Sequence, residues 1–251
     1  MLGLQIWRSG DVKFQVEEVD APPVGCLCHE ALIQWHFGEI ASCQAKMAEA
    51  ISLAKELNDT HGLAVALGYA TMLSYYECNP AEVERWASDL IELSTRQNFA
   101  LFLAFADVYR GWARGASNET AEAIGWIQDG IERYRTSGST LLLPLFLTLK
   151  AEALHVANRT SEALEAIKEA EKLVERFEGR CWSAELHRCR GVFLAAIGGD
   201  AAQIEASFCA AIRIAKKQKS VSLEKRAEAT YGEYRRQKAS GSGGRGFRLP
   251  L

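Results

Sequence analysis

Apolar side chains recur with helical spacing from Leu27 to Arg236, and Gly, Asn, Pro and Asp interrupt the pattern at regular intervals. The interruptions hold residues that end or cap helices, as in Asn58-Asp59 and Asn79-Pro80. The pattern therefore predicts five pairs of helices and one further helix. The predicted ranges are 26–37 with 41–57, 61–77 with 80–97, 99–114 with 119–136, 140–156 with 160–177, 180–197 with 201–218, and 221–238 alone.

A repeat of 40 residues underlies these pairs. Residues 121–131 (AEAIGWIQDGI) align with residues 161–171 (SEALEAIKEAE), and each segment opens a predicted helix. The same step, 41 in the last unit, aligns three columns of mostly small residues: Ala31, Thr71, Gly111, Ala151 and Gly191; Cys43, Val83, Ala123, Ala163 and Ile204; Ala50, Leu90, Gly130, Ala170 and Ala211. Small residues that recur once per helix let neighbouring helices approach closely, near the short end of about 8–10 Å between axes. The sequence predicts an all-α solenoid of stacked hairpins.

Composition agrees with this fold class. Hydrophobic residues make up 48% of the 251 residues and only 5 are Pro, which favours helices around a core. The seven cysteines are an odd number at positions that mostly face the predicted core, so we expect reduced thiols. The longest uncharged apolar run, at 138–149, is shorter than the roughly 20 residues that a bilayer requires. Because residues 1–20 also lack the apolar core of a secretory signal, we expect a cytoplasmic protein without a membrane partner.

The net charge of −3 is unevenly distributed. The segment from Arg213 to Arg248 holds 11 Lys or Arg against 3 Glu. Such a segment can bind nucleic acid, but without a recognition motif a solvated terminal helix is the favoured interpretation. Beyond the helices, we expect an N-terminal extension over residues 1–22 and a flexible Gly/Ser/Arg tail over residues 239–251.

Two groups of residues contain side chains that can bind a metal ion. The sequence Cys-Leu-Cys-His at 26–29 directs its two thiols about 200° apart on a helix, which suits core or surface thiols better than shared ligation. Cys181, Glu185 and Cys189 share one helix stripe, but zinc would need further ligands from another helix. The sequence predicts no metal, no cofactor and no catalytic residue, because no spacing pairs a Ser or Cys with a base.

Seven side chains are candidates for a binding surface on the concave side of the repeats. They are Trp35, Tyr75, Trp112, Glu152, His155, Glu185 and Arg188. Aromatic and Arg side chains are frequent anchors at interfaces, so the set favours a groove for a protein or peptide. The alternative is that some of these side chains only fill the space between repeats.

The segments WARGASNETAEAIGWIQDGI and LKAEALHVANRTSEALEAIKEA resemble tetratricopeptide (TPR) repeats, which carry small residues at the same three places. The resemblance covers about residues 26–238 and implies a right-handed α-solenoid of about five hairpins with a concave groove. The usual repeat is nearer 34 residues, so a step of 40 implies longer helices.

Three further segments, VGCLCHEALIQWHFGEI, CWSAELHRCRGVFLAAIGGDAAQIEASFCAAIRIAKKQ and SVSLEKRAEA, look like the C-terminal helical region of bacterial multidomain ATPases fused to nucleotide cyclase or DNA-binding domains. The chain lacks a GxxxxGK[S/T] motif, so the resemblance implies a non-catalytic regulatory module. Two alternatives remain open: a small-molecule sensor, and a detached fragment that acts with a catalytic partner in trans. Self-association through the N-terminal end is a further expectation. Helices of that family would continue where this chain has ASGSGGRGFRLPL, which implies a truncated or frame-shifted end.

Overall fold

The computed structural model describes residues 22–117, 120–177 and 180–240. These residues are 86% helical and contain no β-strand, which confirms the all-α prediction. The predicted extension and tail lie almost entirely outside the described residues. The helices are α1 (Pro22–His36), α2 (Ile40–Glu56), α3 (Thr60–Tyr76), α4 (Pro80–Gln97), α5 (Ala100–Ala116), α6 (Thr120–Thr136), α7 (Leu143–Val156), α8 (Thr160–Phe177), α9 (Ser183–Ala196), α10 (Ala201–Lys217) and α11 (Val221–Ala239).

Most helix limits lie within two residues of the predicted ones, and the larger differences are at helix starts. Helix α1 begins four residues earlier than predicted, at Pro22. Helix α7 begins at Leu143 and not near residue 140, so Pro144 stands in its first turn, where the missing N–H costs no helical hydrogen bond. Residues Arg180–Trp182 form a short 3₁₀ helix, and α9 follows at Ser183.

Left-handed residues end the helices at positions 20 or 40 apart, with 21 in the last step. They are Gly38, Asn58, Cys78, Asn98, Gly138, Asn158, Gly198 and Lys219. At every one of these residues except Gly138, the next amide donates to a carbonyl five residues back, for example Asp59 N to Ala54 O at 2.9 Å and Arg159 N to Leu154 O at 2.8 Å. This Schellman pattern closes the helix end and fixes where the next helix begins. The left-handed turns therefore recur with the same 40-residue step as the repeat in the sequence.

Side-chain caps begin several of the helices. Asp59 accepts a hydrogen bond from the Gly62 amide at 2.8 Å, and Asp200 accepts one from the Gln203 amide at 3.1 Å. Asn79 caps α4 in the same way. These side chains satisfy amides that a helix start leaves without an internal partner, which confirms their predicted role.

The three columns of small residues are buried throughout. Gly111 shows why they are small: a Cβ there would lie 2.7 Å from the carbonyl oxygen of Ala123 and 2.7 Å from Cγ1 of Ile127. A Cβ at Gly191 would meet the ring of Phe208 at 2.8 Å. Helices α5 and α6, and helices α9 and α10, therefore approach to a distance that excludes a side chain at these points.

Two compact units divide the chain, residues 1–106 and 107–251, with the boundary inside α5. In the first unit α1 packs on α2, α2 on α3 and α3 on α4, and α1 also contacts α3. In the second unit each helix from α7 to α11 packs on the next, while α7 contacts α9 and α9 contacts α11. The first helices of successive pairs therefore contact one another, as they do in a helical solenoid.

First and second helices differ in burial. Helix α8, a second helix, buries one stripe that includes Ala163, Ile167 and Val174. Helix α7, a first helix, buries every residue from Leu143 to Leu149. A helix that is buried on nearly every side must pair its polar side chains with other helices, because a buried polar group without a partner is costly.

Candidate functional site

The structure buries six of the seven side chains predicted for the concave face. Trp35, Tyr75, Trp112, Glu152, Glu185 and Arg188 are between 2% and 6% exposed. The seventh, His155, is half-buried; its Nδ1 lies 3.0 Å from Thr160 Oγ1 and its ring packs on Phe193. The six buried side chains lie between helices in this conformation, and their role as ligand anchors stays a prediction.

Four of the seven meet in one cluster within the second unit. Trp112 of α5 donates its indole N–H to Oε2 of Glu152 on α7 at 2.8 Å. Arg188 of α9 donates through Nε and Nη2 to the two carboxylate oxygens of Glu185, at 2.9 and 2.6 Å. The same Nη2 lies 3.4 Å from Oε1 of Glu152. The planar guanidinium thus binds one carboxylate with two bonds and touches a second.

Two members of the cluster were absent from the predicted site. Arg226 of α11 donates through Nη1 to Oε1 of Glu185 at 3.1 Å, and Cys189 Sγ lies 3.8 Å from Oε1 of Glu152. Arg226 follows Glu185 by 41 residues, which is one repeat step. A search for polar residues of opposite charge one step apart would have found this pair.

Glu185 is ionised in the folded protein. Burial of its carboxylate acts to raise the pKa, but the positive charges of Arg188 and Arg226 outweigh burial and lower the pKa to about 2. Burial also opposes the charge of Arg188, yet Glu185 holds the pKa of that guanidinium well above its usual value. The cluster therefore contains a buried carboxylate between two cations.

Glu152 has the opposite tendency. Burial raises the pKa of Glu152; Arg188 lowers it in part, and the charge of Glu185 raises it further. Arg188 directs both Nε and Nη2 at the carboxylate of Glu185, and its contact with Glu152, at 3.4 Å, is longer. The two carboxylates therefore titrate in different pH ranges.

Glu152, Glu185 and Cys189 bring three potential metal ligands within 4.8 Å of one another. Arg188 donates into the same space, with Nη2 3.5 Å from Cys189 Sγ. Burial raises the pKa of the Cys189 thiol well above its usual value, whereas metal binding and nucleophilic attack both require the thiolate. The cluster holds two cationic side chains against two carboxyl groups, so its chemistry suits the joining of helices better than the binding of a cation.

The sequence at 26–29 is also engaged in packing. His29 Nδ1 lies 2.8 Å from the Gly25 carbonyl oxygen and Nε2 lies 2.9 Å from the Tyr69 hydroxyl, so both ring nitrogens have partners. Burial raises the pKa of the Cys28 thiol to about 12. All seven cysteines are free thiols, but only three are buried, fewer than predicted, because the positions of Cys26, Cys181 and Cys209 face solvent.

An open groove of about 560 Å³ lies in the first unit, between α2 and α4 with α3 as its floor. Its apolar lining includes Met47, Ile51, Leu73 and Trp86. Polar side chains at its edges are Gln44, Lys55, Glu77 and Glu82. The guanidinium of Arg85 lies 3.6 Å from the centre of the Trp86 ring, which orients the indole.

A smaller groove of about 370 Å³ lies in the second unit, between α7 and α8. Charged residues dominate its lining: Lys150, Lys168, Lys172, Glu162, Glu165 and Glu169. Ala70 and Trp86 of the first groove correspond to Lys150 and Ala166 here. No described residue of α6, the helix equivalent to α2, lines this groove, so the two grooves share only part of their lining positions. The first groove has a mostly apolar lining and the second a mostly charged one.

Carboxylates accompany the positive charges at the C-terminal end of the second unit. Lys216 lies 3.5 Å from Glu224 and 3.4 Å from Glu228, and Lys238 lies 3.0 Å from Glu205. These ion pairs reduce the positive electrostatic potential expected from the many Lys and Arg residues of this region. Among the described helices, none has the length and apolar character needed to cross a membrane.

Comparison with known proteins adds one relative. No family model matches this chain. The chain is 24% identical over 203 residues to Uncharacterized protein R02095 of Rhizobium meliloti (strain 1021). The match covers 81% of this chain and 20% of that protein, so the chain spans about one fifth of the length of the curated relative.

Proposed function

We propose that this chain is a non-catalytic module of TPR type that binds a protein or peptide partner. In this proposal the helix pairs are right-handed repeats of about 40 residues, five pairs followed by a terminal helix. Support comes from the contacts between successive first helices, the three buried small-residue columns and the regular left-handed turns.

The groove between α2 and α4 carries the proposal. Its volume of about 560 Å³ is typical of ligand sites, and Met47, Ile51 and Trp86 offer an apolar surface with polar edges. An extended or helical peptide would place apolar side chains on this lining, with Trp86 as the principal anchor. Six of the predicted concave-face residues are buried and hold the first helices in place. The open groove is therefore the favoured contact surface in this proposal.

The chemistry of the buried cluster supports a binding role over a catalytic one. Its carboxylates are engaged with Trp112, Arg188 and Arg226, and its thiol is protonated. A general base or nucleophile needs access to a substrate, and these groups are buried between helices.

The test is a selection of randomised displayed peptides on the intact chain, followed by calorimetric titration of the selected peptide. Trp86→Ala is expected to weaken binding by about tenfold or more, which corresponds to about 1.4 kcal/mol. The matched control is Trp126→Ala, one repeat step further, since Trp126 also lies beside an arginine, Arg110, but outside this groove. Equal losses in both variants, or no selected peptide, would argue against the groove.

A small-molecule sensor is the second candidate, and the volume of the same groove favours it. A compound from a metabolite panel would then raise the melting temperature by mass action. The rise should disappear in Trp86→Ala and persist in Trp126→Ala. A rise that survives both substitutions would place the compound elsewhere.

We further propose that the module regulates an attached output domain, as its resemblance to helical regions of bacterial signalling ATPases and cyclases implies. The match to one fifth of a longer protein is compatible with a piece of a multidomain chain. Purified alone, the chain should neither hydrolyse nor cyclise nucleotides. Turnover that is abolished by Glu152→Gln would overturn the non-catalytic proposal. A detached fragment that acts with a catalytic partner in trans would, like the module, show no turnover alone.

A further inference from the structure

The groove between α2 and α4 differs in charge between its two ends. Gln44 near the start of α2, Glu77 at the end of α3 and Glu82 in the first turn of α4 line one end. The Gln44 side-chain amide donates to Oε2 of Glu77 at 3.3 Å, which joins α2 and α3 there. Lys55 lines the other end, about 16 Å from Gln44 along α2 at the rise of an α-helix. An occupant of the groove therefore meets carboxylates at one end and an ammonium group at the other.

The two carboxylates at the acidic end differ in their partners. Glu82 binds the guanidinium of Arg85 through both of its oxygens, and that guanidinium also lies over the Trp86 ring. Glu77 accepts a hydrogen bond from Gln44, and it has no ion pair among the described residues. Burial raises the pKa of Glu77, and the hydrogen bond from Gln44 lowers it only in part. Glu77 is therefore a partly desolvated carboxylate to which no described cation is paired.

The turn after a first helix does not require a carboxylate at this position. At the repeat step of 40, the residues equivalent to Glu77 are Phe37, Ser117, Ala157 and Ile197, and none of them carries a charge. Removal of a charge from water costs free energy unless an opposite charge compensates it. The carboxylate of Glu77 is therefore better explained by a partner than by the fold.

The lining between the two ends is apolar. Met47 and Leu73 are buried, and Ile51 and Trp86 are half-buried. A length of about 16 Å accommodates about five residues of extended chain or about three turns of helix. Apolar side chains of such a segment would cover Ile51 and Trp86, and the residue beyond them would reach Glu77, which is exposed.

We propose that the partner segment carries a Lys or Arg side chain that binds Glu77, beside apolar side chains that pack on Ile51 and Trp86. This pairing rests on the proposed function, because the segment that carries the cation is the one that occupies the same groove. A cation compensates the carboxylate as the segment covers it, whereas an acidic segment would bring like charges together. Charge thus selects the peptides that the groove accepts and sets their direction along it.

Selection of short displayed peptides on the intact chain tests this pairing, with apolar residues, Lys, Glu and Gln equally frequent in the library. Peptides that are lost in Trp86→Ala and kept in Trp126→Ala are expected to be enriched in Lys over Glu. In calorimetric titration, Glu77→Gln should weaken binding of a selected Lys peptide by about fivefold, as for a partly exposed ion pair. The same variant should bind the peptide with Lys replaced by Gln as well as the unchanged chain does.

Two controls separate a local ion pair from other effects. Glu92→Gln removes the same charge from α4 outside the groove, where Glu92 pairs with Arg96, and should leave the affinity unchanged. Glu77→Lys, titrated with the peptide in which Lys is replaced by Glu, should recover affinity that either change alone removes. Thermal melts followed by circular dichroism show whether the variants fold. The change from Lys to Gln in the peptide tests the same pair without altering the protein.

Three results would overturn the pairing, and they separate it from the proposed function. Peptides that depend on Trp86 but lack enrichment in Lys, or that bind folded Glu77→Gln unchanged, would leave the groove as a peptide site without this charge preference. Equal losses in Glu77→Gln and Glu92→Gln would assign the effect to net charge. The absence of any peptide that depends on Trp86 would overturn the proposed function and the pairing together.

Discussion

Trp112 and Glu152 are joined by a 2.8 Å hydrogen bond and stand 40 residues apart, one repeat step. Glu185 and Arg226 form an ion pair 41 residues apart in the same part of the chain. Polar contacts between equivalent helices therefore follow the repeat as closely as the small residues do. Because first helices are buried on most sides, each such contact satisfies a group that would otherwise be left unpaired.

Replacement of Glu185 by Gln is expected to destabilise the protein strongly. The change leaves Arg188 and Arg226 without their carboxylate, and the loss of one partner from a buried ion pair typically costs about 3–5 kcal/mol. Urea unfolding at neutral pH, followed by circular dichroism, measures the loss. The control is Glu171→Gln, whose carboxylate lies 3.3 Å from Arg190 at the surface and should contribute less than about 1 kcal/mol.

The effect of Glu185 depends on pH in a defined direction. Its pKa is lowered to about 2, so its ionised form stabilises the folded protein fully above the usual carboxyl pKa of 4.5. That contribution is lost as the pH falls from 4.5 towards 2. Similar small losses for Glu185→Gln and Glu171→Gln would show that the buried contacts of Glu185 with Arg188 and Arg226 do not stabilise the fold.

Replacement of Glu152 by Gln tests a pH dependence of stability that is opposite in direction to that of Glu185. The pKa of Glu152 is raised, so the folded protein keeps a proton that the unfolded chain releases above pH 4.5. Stability of the unchanged chain should therefore fall as the pH rises from 4.5 through the folded pKa, relative to Glu152→Gln. We expect the free energy of unfolding of Glu152→Gln to exceed that of the unchanged chain by a margin that grows as the pH rises across this range. Parallel curves would mean that Glu152 titrates normally.

The fold was largely readable from the sequence because its determinants are local. Gly, Asn and Asp at the turns specify left-handed ends and caps, as Asn58 and Asp59 do together. The start of α7 was predicted less accurately. A helix accepts Pro within its first turn, so the position of Pro144 is compatible with more than one starting residue.

The site was only partly readable because burial depends on distances between helices. The periodicity places Glu152 and Arg188 on related faces, but it does not tell whether the next first helix covers them. That depends on the close approach that residues such as Gly111 permit. Arg226 was missed because its partner lies on a different helix, at a separation that only the repeat step explains.

Gly111→Ala should destabilise the protein by about 1–3 kcal/mol through overpacking, since the added Cβ would lie 2.7 Å from a backbone oxygen of Ala123. Gly125→Ala is the matched control on α6, where an added Cβ meets nothing within 4 Å. That change should stabilise the helix by about 0.5–1 kcal/mol. Urea unfolding of both variants measures the difference, and a stabilised Gly111→Ala would contradict the close approach of α5 and α6.

Lys219→Gly should raise stability. Lys219 ends α10 with φ of 57°, whereas the equivalent turns after other second helices use Asn58, Asn98 or Gly138, which adopt this region more readily. A left-handed conformation costs a side-chain-bearing residue about 1–2 kcal/mol, and the greater freedom of glycine in the unfolded chain cancels part of the gain. We expect a net gain of about 0.5–1 kcal/mol in urea unfolding. Lys217→Gly, inside the last turn of α10, should instead lose about 0.5–1 kcal/mol. If both substitutions destabilise equally, the backbone at Lys219 is not strained, and its side chain must stabilise the turn by contacts of its own.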